Sequence, residues 1–319
     1  MIALVDYLTF SVSGISTVQS FADELFGRIE WQSGKGMYGY LHCMYYDGIR
    51  VFSKQVTEGY DICVSMSGFG CRAFETIRGE SFAWEIFFED LIDEYPSLNF
   101  SRIDVALDVR EEWCPSMKSI CGYVAKDKYV SRFTRNIYTL GSEEFVFFGS
   151  PSSDTRLRVY NKALERGYPD DHWIRFEYQL RNKSASKFIK EYLRTRNIGF
   201  TVRSCLNNSI RFTTKPNKHD HHQDRLNTAF WWKKVVDGAD RISLFEPVGC
   251  DYNLSRLERY LVTQVAPSLF TYLRCKGGDL TELLESGKLR LNDRQLNLIN
   301  ELVGALDVLF VGHLSVSFE

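Results

Sequence analysis

Three segments of this chain alternate polar and apolar residues one by one, and no other feature narrows the fold as much. They are SRIDVALDV (101–109), TRLRVYNKAL (155–164) and HWIRFEYQL (172–180). Side chains of an extended strand alternate between the two faces of a sheet. Arg102, Asp104, Ala106 and Asp108 therefore share one side of the first segment. Arg156, Arg158, Tyr160 and Lys162 share one side of the second, opposite Leu157 and Val159. In the third, Arg175, Glu177 and Gln179 oppose Ile174, Phe176, Tyr178 and Leu180. Strands with one apolar and one polar face belong to a sheet that is covered on one side only.

The rest of the chain supplies the cover. DYLTFSVS (6–13) alternates, and GYLHCMYYDGIRVFSK (39–54) carries a hairpin signal at Asp47-Gly48. Between them STVQSFADELFGRI (16–29) reads as a helix capped by Ser16 or Thr17, and SFAWEIFFEDLIDEYP (81–96) as a helix that stops at Pro96. FVFFGS (145–150) is a further strand, and SASKFIKEYLRTRN (184–197) a basic helix. From TAFWWKKVV (228–236) onward the periodicity is helical, through LSRLERYLVTQVAPSLFTYLRC (254–275) and DRQLNLINELVGALDVLF (293–310). The expected fold is α+β: a curved, largely antiparallel sheet with helices on one face over residues 1–225, then a mostly helical part over 226–319.

At 319 residues and 44% hydrophobic, the chain has ample material for a core. No apolar run is long enough to span a bilayer, and the start MIALVDYLTFSVSG lacks a signal peptide's basic region and cleavage site, so no membrane partner and a cytoplasmic location are expected. Eight cysteines without a CxxC pair suggest reduced, mostly buried thiols. The net charge of −2 conceals a segregation. Residues 1–100 hold 6 Lys and Arg against 14 Asp and Glu, whereas residues 150–235 hold 18 against 8. An excess of that size in one block points to a polyanionic partner.

Brought side by side, the three polar strand faces would assemble a cluster of acids and cations around one tyrosine. Carboxylates from two strands suit a hard divalent cation, Mg²⁺ or Mn²⁺; the alternative is that Asp104 and Asp108 pair with Arg102, Arg158 or Arg175. A phenol is a weak nucleophile until a cation or a base favours the phenolate, and a metal polarises a phosphate for attack. The product would be a phosphotyrosine ester, which conserves the energy of the broken phosphodiester.

VDYLTFSV near the start, ICVSMSGFGCRAFE (62–75), SRIDVALDV, RLRVYNKALE (156–165), RFEYQLRN (175–182) and NTAFWWKKVV (227–236) together resemble the ordered motifs of the Rep_trans rolling-circle initiators, across roughly residues 4–270. That family includes plasmid replication initiators and relaxases of integrative and conjugative elements. The resemblance implies a metal-dependent, site-specific nick at an origin, presented single-stranded or as a cruciform, that leaves tyrosine on the 5′ phosphate and frees a 3′ hydroxyl. It implies Tyr160 as nucleophile with Arg158 and Lys162 beside it, and Asp104, Asp108 and Glu177 as ligands of Mg²⁺ or Mn²⁺. Arg72, Arg102, Arg156, Arg175, Lys187, Lys190 and Arg194 are the expected DNA contacts; a host helicase and a second copy of the chain are further expected partners.

Two rivals stay open on the sequence: a silent origin-binding protein on the same scaffold, and a metal-dependent nuclease that activates water. The run His219, Asp220, His221, His222 reads as a polar loop rather than the metal site. Gly68 and Gly70 read as a tight turn, and Trp231 and Trp232 as anchors to the core.

Overall fold

A computed structural model describes residues 1–133, 136–139, 145–216, 225–244, 254, 257–258, 261–291, 295–296 and 298–300. The chain divides into two compact units, residues 1–246 and 247–319. In chain order the first contains β1 (Ile2–Ile15), α1 (Val18–Phe26), β2 (Gln32–Lys35), β3 (His42–Tyr46), β4 (Ile49–Val56), β5 (Gly59–Met66), α2 (Gly68–Arg78), α3 (Trp84–Glu94) and β6 (Asn99–Val109). It continues with α4 (Met117–Ala125), β7 (Tyr129–Ser131), β8 (Asn136–Thr139), β9 (Phe145–Phe148), β10 (Thr155–Asn161), α5 (Lys162–Glu165) and β11 (Ile174–Arg181). Then come α6 (Asn182–Thr195), α7 (Ile198–Ser209), β12 (Ile210–Phe212) and α8 (Phe230–Val236). In the second unit, a π-helical turn (Leu261–Val265) leads into α9 (Ala266–Cys275), followed by α10 (Thr281–Lys288).

Ten strands form one sheet in the order β2-β3-β4-β5-β1-β6-β11-β10-β9-β8, every neighbour antiparallel. Period two decides its two faces. Phe10, Val64, Ile103, Val105, Leu107, Phe176, Tyr178 and Leu180 point to one side and join a single core with the buried stripes of α1, α2, α3, α6 and α7. Asp104, Asp108, Tyr160, Arg175 and Glu177 point to the other, as registers Asp108↔Arg175↔Tyr160 and Ala106↔Glu177↔Arg158 require. The expected α+β architecture, a large antiparallel sheet with helices against one face, is the observed one.

Local chemistry fixes the joints. Asp47 and Gly48 take φ of 45° and 86° and close the β3–β4 hairpin, the positive-φ pair that such a two-residue turn demands. Ser67 caps α2 through a hydrogen bond accepted from the Gly70 amide at 3.2 Å. Gly68 and Gly70, expected as a tight turn, form the first turn of this helix. Their smallness serves packing: a Cβ on Gly70 would lie 2.3 Å from the Gly48 carbonyl oxygen. Residues 229–236 pack within the first unit, where Trp232 lies tilted against Phe176 at 5.7 Å and Trp231 against Phe212 at 4.8 Å between ring centroids. Both tryptophans are core anchors, as expected. Six of the seven described cysteines are buried, as expected.

Candidate active site

β11 lies between β6 and β10, so the three alternating segments are neighbours and their polar faces merge. Tyr160 stands on β10 and is only 4% exposed. Its hydroxyl donates to Glu177 Oε2 at 2.8 Å. Lys162 Nζ approaches the same hydroxyl at 3.5 Å, and the Arg158 guanidinium lies 4.0 Å over the tyrosine ring. Lys162 does not continue the strand as the alternation suggested. Asn161 caps α5 there, and Lys162, its first residue, still turns its amine back to Tyr160 and pairs with Glu165.

The carboxylates divide by partner. Asp108, 6% exposed, accepts from Arg175 Nε at 2.6 Å and Nη2 at 2.7 Å, a bidentate pair that occupies both oxygens. Asp104 is held the same way by Arg102 on its own strand, two residues away and on the same face. Thus the ion-pairing alternative describes both aspartates as they stand. Arg175 reaches further, to Asp6 at 2.8 Å. Burial opposes its charge, yet the Asp108 hydrogen bonds and Asp6 hold it firmly protonated.

Asp6 was not among the residues expected at this site. It is the extra residue of a β-bulge between Val5 and Tyr7, where the β1–β6 register slips, and no period-two pattern reveals which way a bulged side chain points. Burial raises the carboxyl pKa of Asp104 and of Glu177, and the neighbouring Asp6 charge adds to both. Burial and the Glu177 charge likewise push the Tyr160 phenol well above its ordinary value, against the pull of Arg175.

Asp104, Glu177 and Asp6 crowd together here, and their all-oxygen donor set suits a hard divalent cation. Among the described residues no three His, Cys, Asp or Glu side chains already converge at ligand spacing. The fit to Mg²⁺ or Mn²⁺ is thus one of donor chemistry: Asp104, Glu177 and Asp6 supply the oxygens, Asp104 would exchange Arg102 for the cation, and Asp108 is the more deeply committed, to Arg175.

The expected DNA contacts fall into two groups. Arg156 precedes the tyrosine on its own strand, next to the expected catalytic Arg158; Arg156 lies 3.8 Å over the Phe147 ring, and the Nε of each arginine is buried without a hydrogen-bond partner. Arg102 and Arg175 face the same side but serve Asp104 and Asp108. Lys187, Lys190 and Arg194 belong to α6, whose Phe188, Ile189 and Tyr192 pack into the core on the opposite face of the sheet. Arg72 donates to the Val5 carbonyl at 2.6 Å and pairs with Glu75. The basic block of the sequence is therefore shared between both sides of the sheet, because a helix that follows a strand returns over its apolar face. His219, Asp220, His221 and His222 lie outside the described residues.

Comparison with known proteins agrees with this architecture. Residues 98–286 match the Rep_trans profile, described as replication initiation factor, and residues 3–90 match the N-terminal domain of rolling circle replication initiation proteins. NicK of Bacillus subtilis (strain 168), named as a candidate DNA relaxase, is 24% identical over 289 residues, 84% of this chain and 80% of that protein. The structure of a rolling circle replication initiator protein from Geobacillus stearothermophilus superposes with a TM-score of 0.65 at 25% identity, covering 76% of this chain and 99% of that one. With more than half of its length matched to the one profile and its first strands and helices to the other, the chain belongs to the Rep_trans family of rolling-circle replication initiators and DNA relaxases.

Proposed function

We propose that this protein nicks and rejoins one DNA strand at an origin by transesterification, with Tyr160 as the nucleophile. The observation that carries the reading is the Tyr160 hydroxyl donating to Glu177 Oε2 at 2.8 Å with Lys162 and Arg158 against the same phenol. In the forward step the Tyr160 oxygen bonds to phosphorus as the bond from phosphorus to the 3′ oxygen breaks. Glu177 takes the phenolic proton, and the departing 3′ oxygen takes a proton from solvent to become the 3′ hydroxyl. Reversal of the same exchange reseals the strand.

The raised Glu177 carboxyl makes it a better proton acceptor than an exposed glutamate. Burial holds the phenol neutral until a substrate arrives, so Arg158 and Lys162 both bind the phosphate and favour the phenolate. Asp104 and Glu177, with Asp6 beside them, would hold Mg²⁺ or Mn²⁺, whose chemistry is to polarise the phosphate oxygens. Arg156 extends the anion site along the strand, its guanidinium braced on Phe147. The free 3′ end left by the nick would prime rolling-circle synthesis or begin strand transfer of a mobile element.

Incubation with a supercoiled plasmid bearing the protein's own origin should yield open circles and protein attached to a 5′ end. Tyr160→Phe should abolish both while leaving DNA association intact. Nicking by the Phe variant would transfer the reaction to water or another nucleophile.

A further inference from the structure

The sheet face that carries Tyr160 continues past the carboxylates for four more strands. The registers Thr9↔Ser65, Ser65↔Arg50 and Arg50↔Tyr45 run one row across β1, β5, β4 and β3, and Tyr7, opposite Asp104, joins that row to the active site. The row is polar, cationic and aromatic. Tyr7 carries the Arg102 guanidinium 4.2 Å over its ring and shares a hydrogen bond with Ser65. Arg50 is exposed and pairs with no carboxylate among the described residues. Tyr45 is 38% exposed, and Tyr38, 71% exposed, stands edge-on at 5.8 Å against Phe52, two residues along β4 from Arg50.

Among the described residues, α1, α2 and α3 cover the opposite face of the same strands, while this face carries beside the row a small buried cluster of Cys43, Phe52 and Cys63 under Tyr40. The acidic excess of residues 1–100 sits on that covered side: of its 14 acids, 8 are on α1, α2 and α3.

We infer that the polar row across β1, β5, β4 and β3 is a track for single-stranded DNA, continuous with the active site, on which the exposed Arg50 contacts a phosphate and the exposed Tyr45 stacks a base. The inference rests on the nicking reading and adds to it where the strand runs next to the scissile phosphate. Aromatic faces interleaved with cations hold a single strand without regard to sequence. A duplex would need a groove reader, and a protein partner of this row would have to be acidic and give up the continuity with Tyr160. Six strand spacings separate β10 from β3, about 29 Å, room for on the order of eight stacked nucleotides.

Fluorescence anisotropy of the full chain with oligothymidylates of roughly 6 and 18 nucleotides tests this. The longer probe should bind the wild type more tightly. Tyr45→Ala should lower affinity for it about 5-fold or more with little change for the shorter one. Arg50→Glu should flatten the salt dependence by about one unit. Both positions are exposed, and circular dichroism verifies that each variant is folded. Photocrosslinking of the wild type to a thiothymidine oligonucleotide should place adducts at Tyr45 or Tyr38. A wild type that nicks but gains nothing from length, or a folded Tyr45→Ala variant that keeps the full gain and leaves the adducts elsewhere, overturns the track. Failure to nick with the length gain intact overturns the nicking reading and leaves the track standing.

Discussion

Arg175→Met is the most informative single perturbation of the fold, because one guanidinium ties together three strands. Arg175 is 3% exposed, bonds both oxygens of Asp108 and also holds Asp6. Met keeps much of the volume and removes the charge, leaving Asp108 buried without a counter-ion. Breaking one side of a buried, bidentate pair costs about 3–5 kcal/mol. For a unit of 246 residues, each kcal/mol lowers the melting temperature by about 2–4 °C, so a fall of about 6–20 °C is expected. Urea unfolding followed by far-ultraviolet circular dichroism should show a lower midpoint at an unchanged slope. Adding Asp108→Asn should restore most of the loss, since the stranded charge is its principal source. A single variant that loses less than about 1 kcal/mol, or a double variant that loses the sum of its two singles, would refute the claim that this pair is a buried structural clamp.

Glu177→Gln should raise the stability of the metal-free protein at neutral pH while slowing nicking steeply. The wild-type carboxyl has a raised pKa in the fold, so its contribution is most favourable below its unfolded value and is lost as pH rises through the folded one. The stabilisation by Gln should therefore fade on acidification, as melting temperatures across pH would show. Mn²⁺ should raise the melting temperature of the wild type more than that of Glu177→Gln or Asp6→Asn, whereas Asp108→Asn should alter that increment least. Reversing Arg156 and Arg158 should weaken DNA association more than reversing Lys187, Lys190 and Arg194, because only the former pair shares the face of Tyr160; binding isotherms at two salt concentrations decide it. Gly70→Ala should destabilise the fold by about 1–3 kcal/mol, since the new Cβ meets backbone at Gly48 rather than a movable side chain.

Period two in three segments was enough to foresee a half-covered antiparallel sheet and to put Tyr160, Asp104, Asp108 and Glu177 on one face. The physical reason is that register in an antiparallel ladder preserves facing, so correct alternation in each strand survives any order of strands. What alternation does not encode is pairing within the face. Arg102 and Arg175 belong to Asp104 and Asp108 because guanidiniums two residues along or directly opposite reach both carboxylate oxygens, and several pairings satisfy the same pattern. Asp6 stayed hidden because a bulge breaks the period it would have to be read from. The cations of α6 have a helical period that says which side of the helix is wet, but not which side of the sheet the helix covers. Residues 226–244 looked like the start of a separate helical part because α8 is helical; the burial of Trp232 on Phe176 joins it to the sheet.

The strand order has a consequence for how this protein is made. β11 is inserted between β6 and β10, and the Arg175–Asp6 bond closes over 169 residues of chain. Asp6 and Asp104 leave the ribosome long before Tyr160 and Glu177, and the two sets meet only when β11 docks along β6. Such distant pairings form late in folding. An unfinished chain consequently holds the acids without the tyrosine, and the nicking centre proposed above exists only once the sheet is complete.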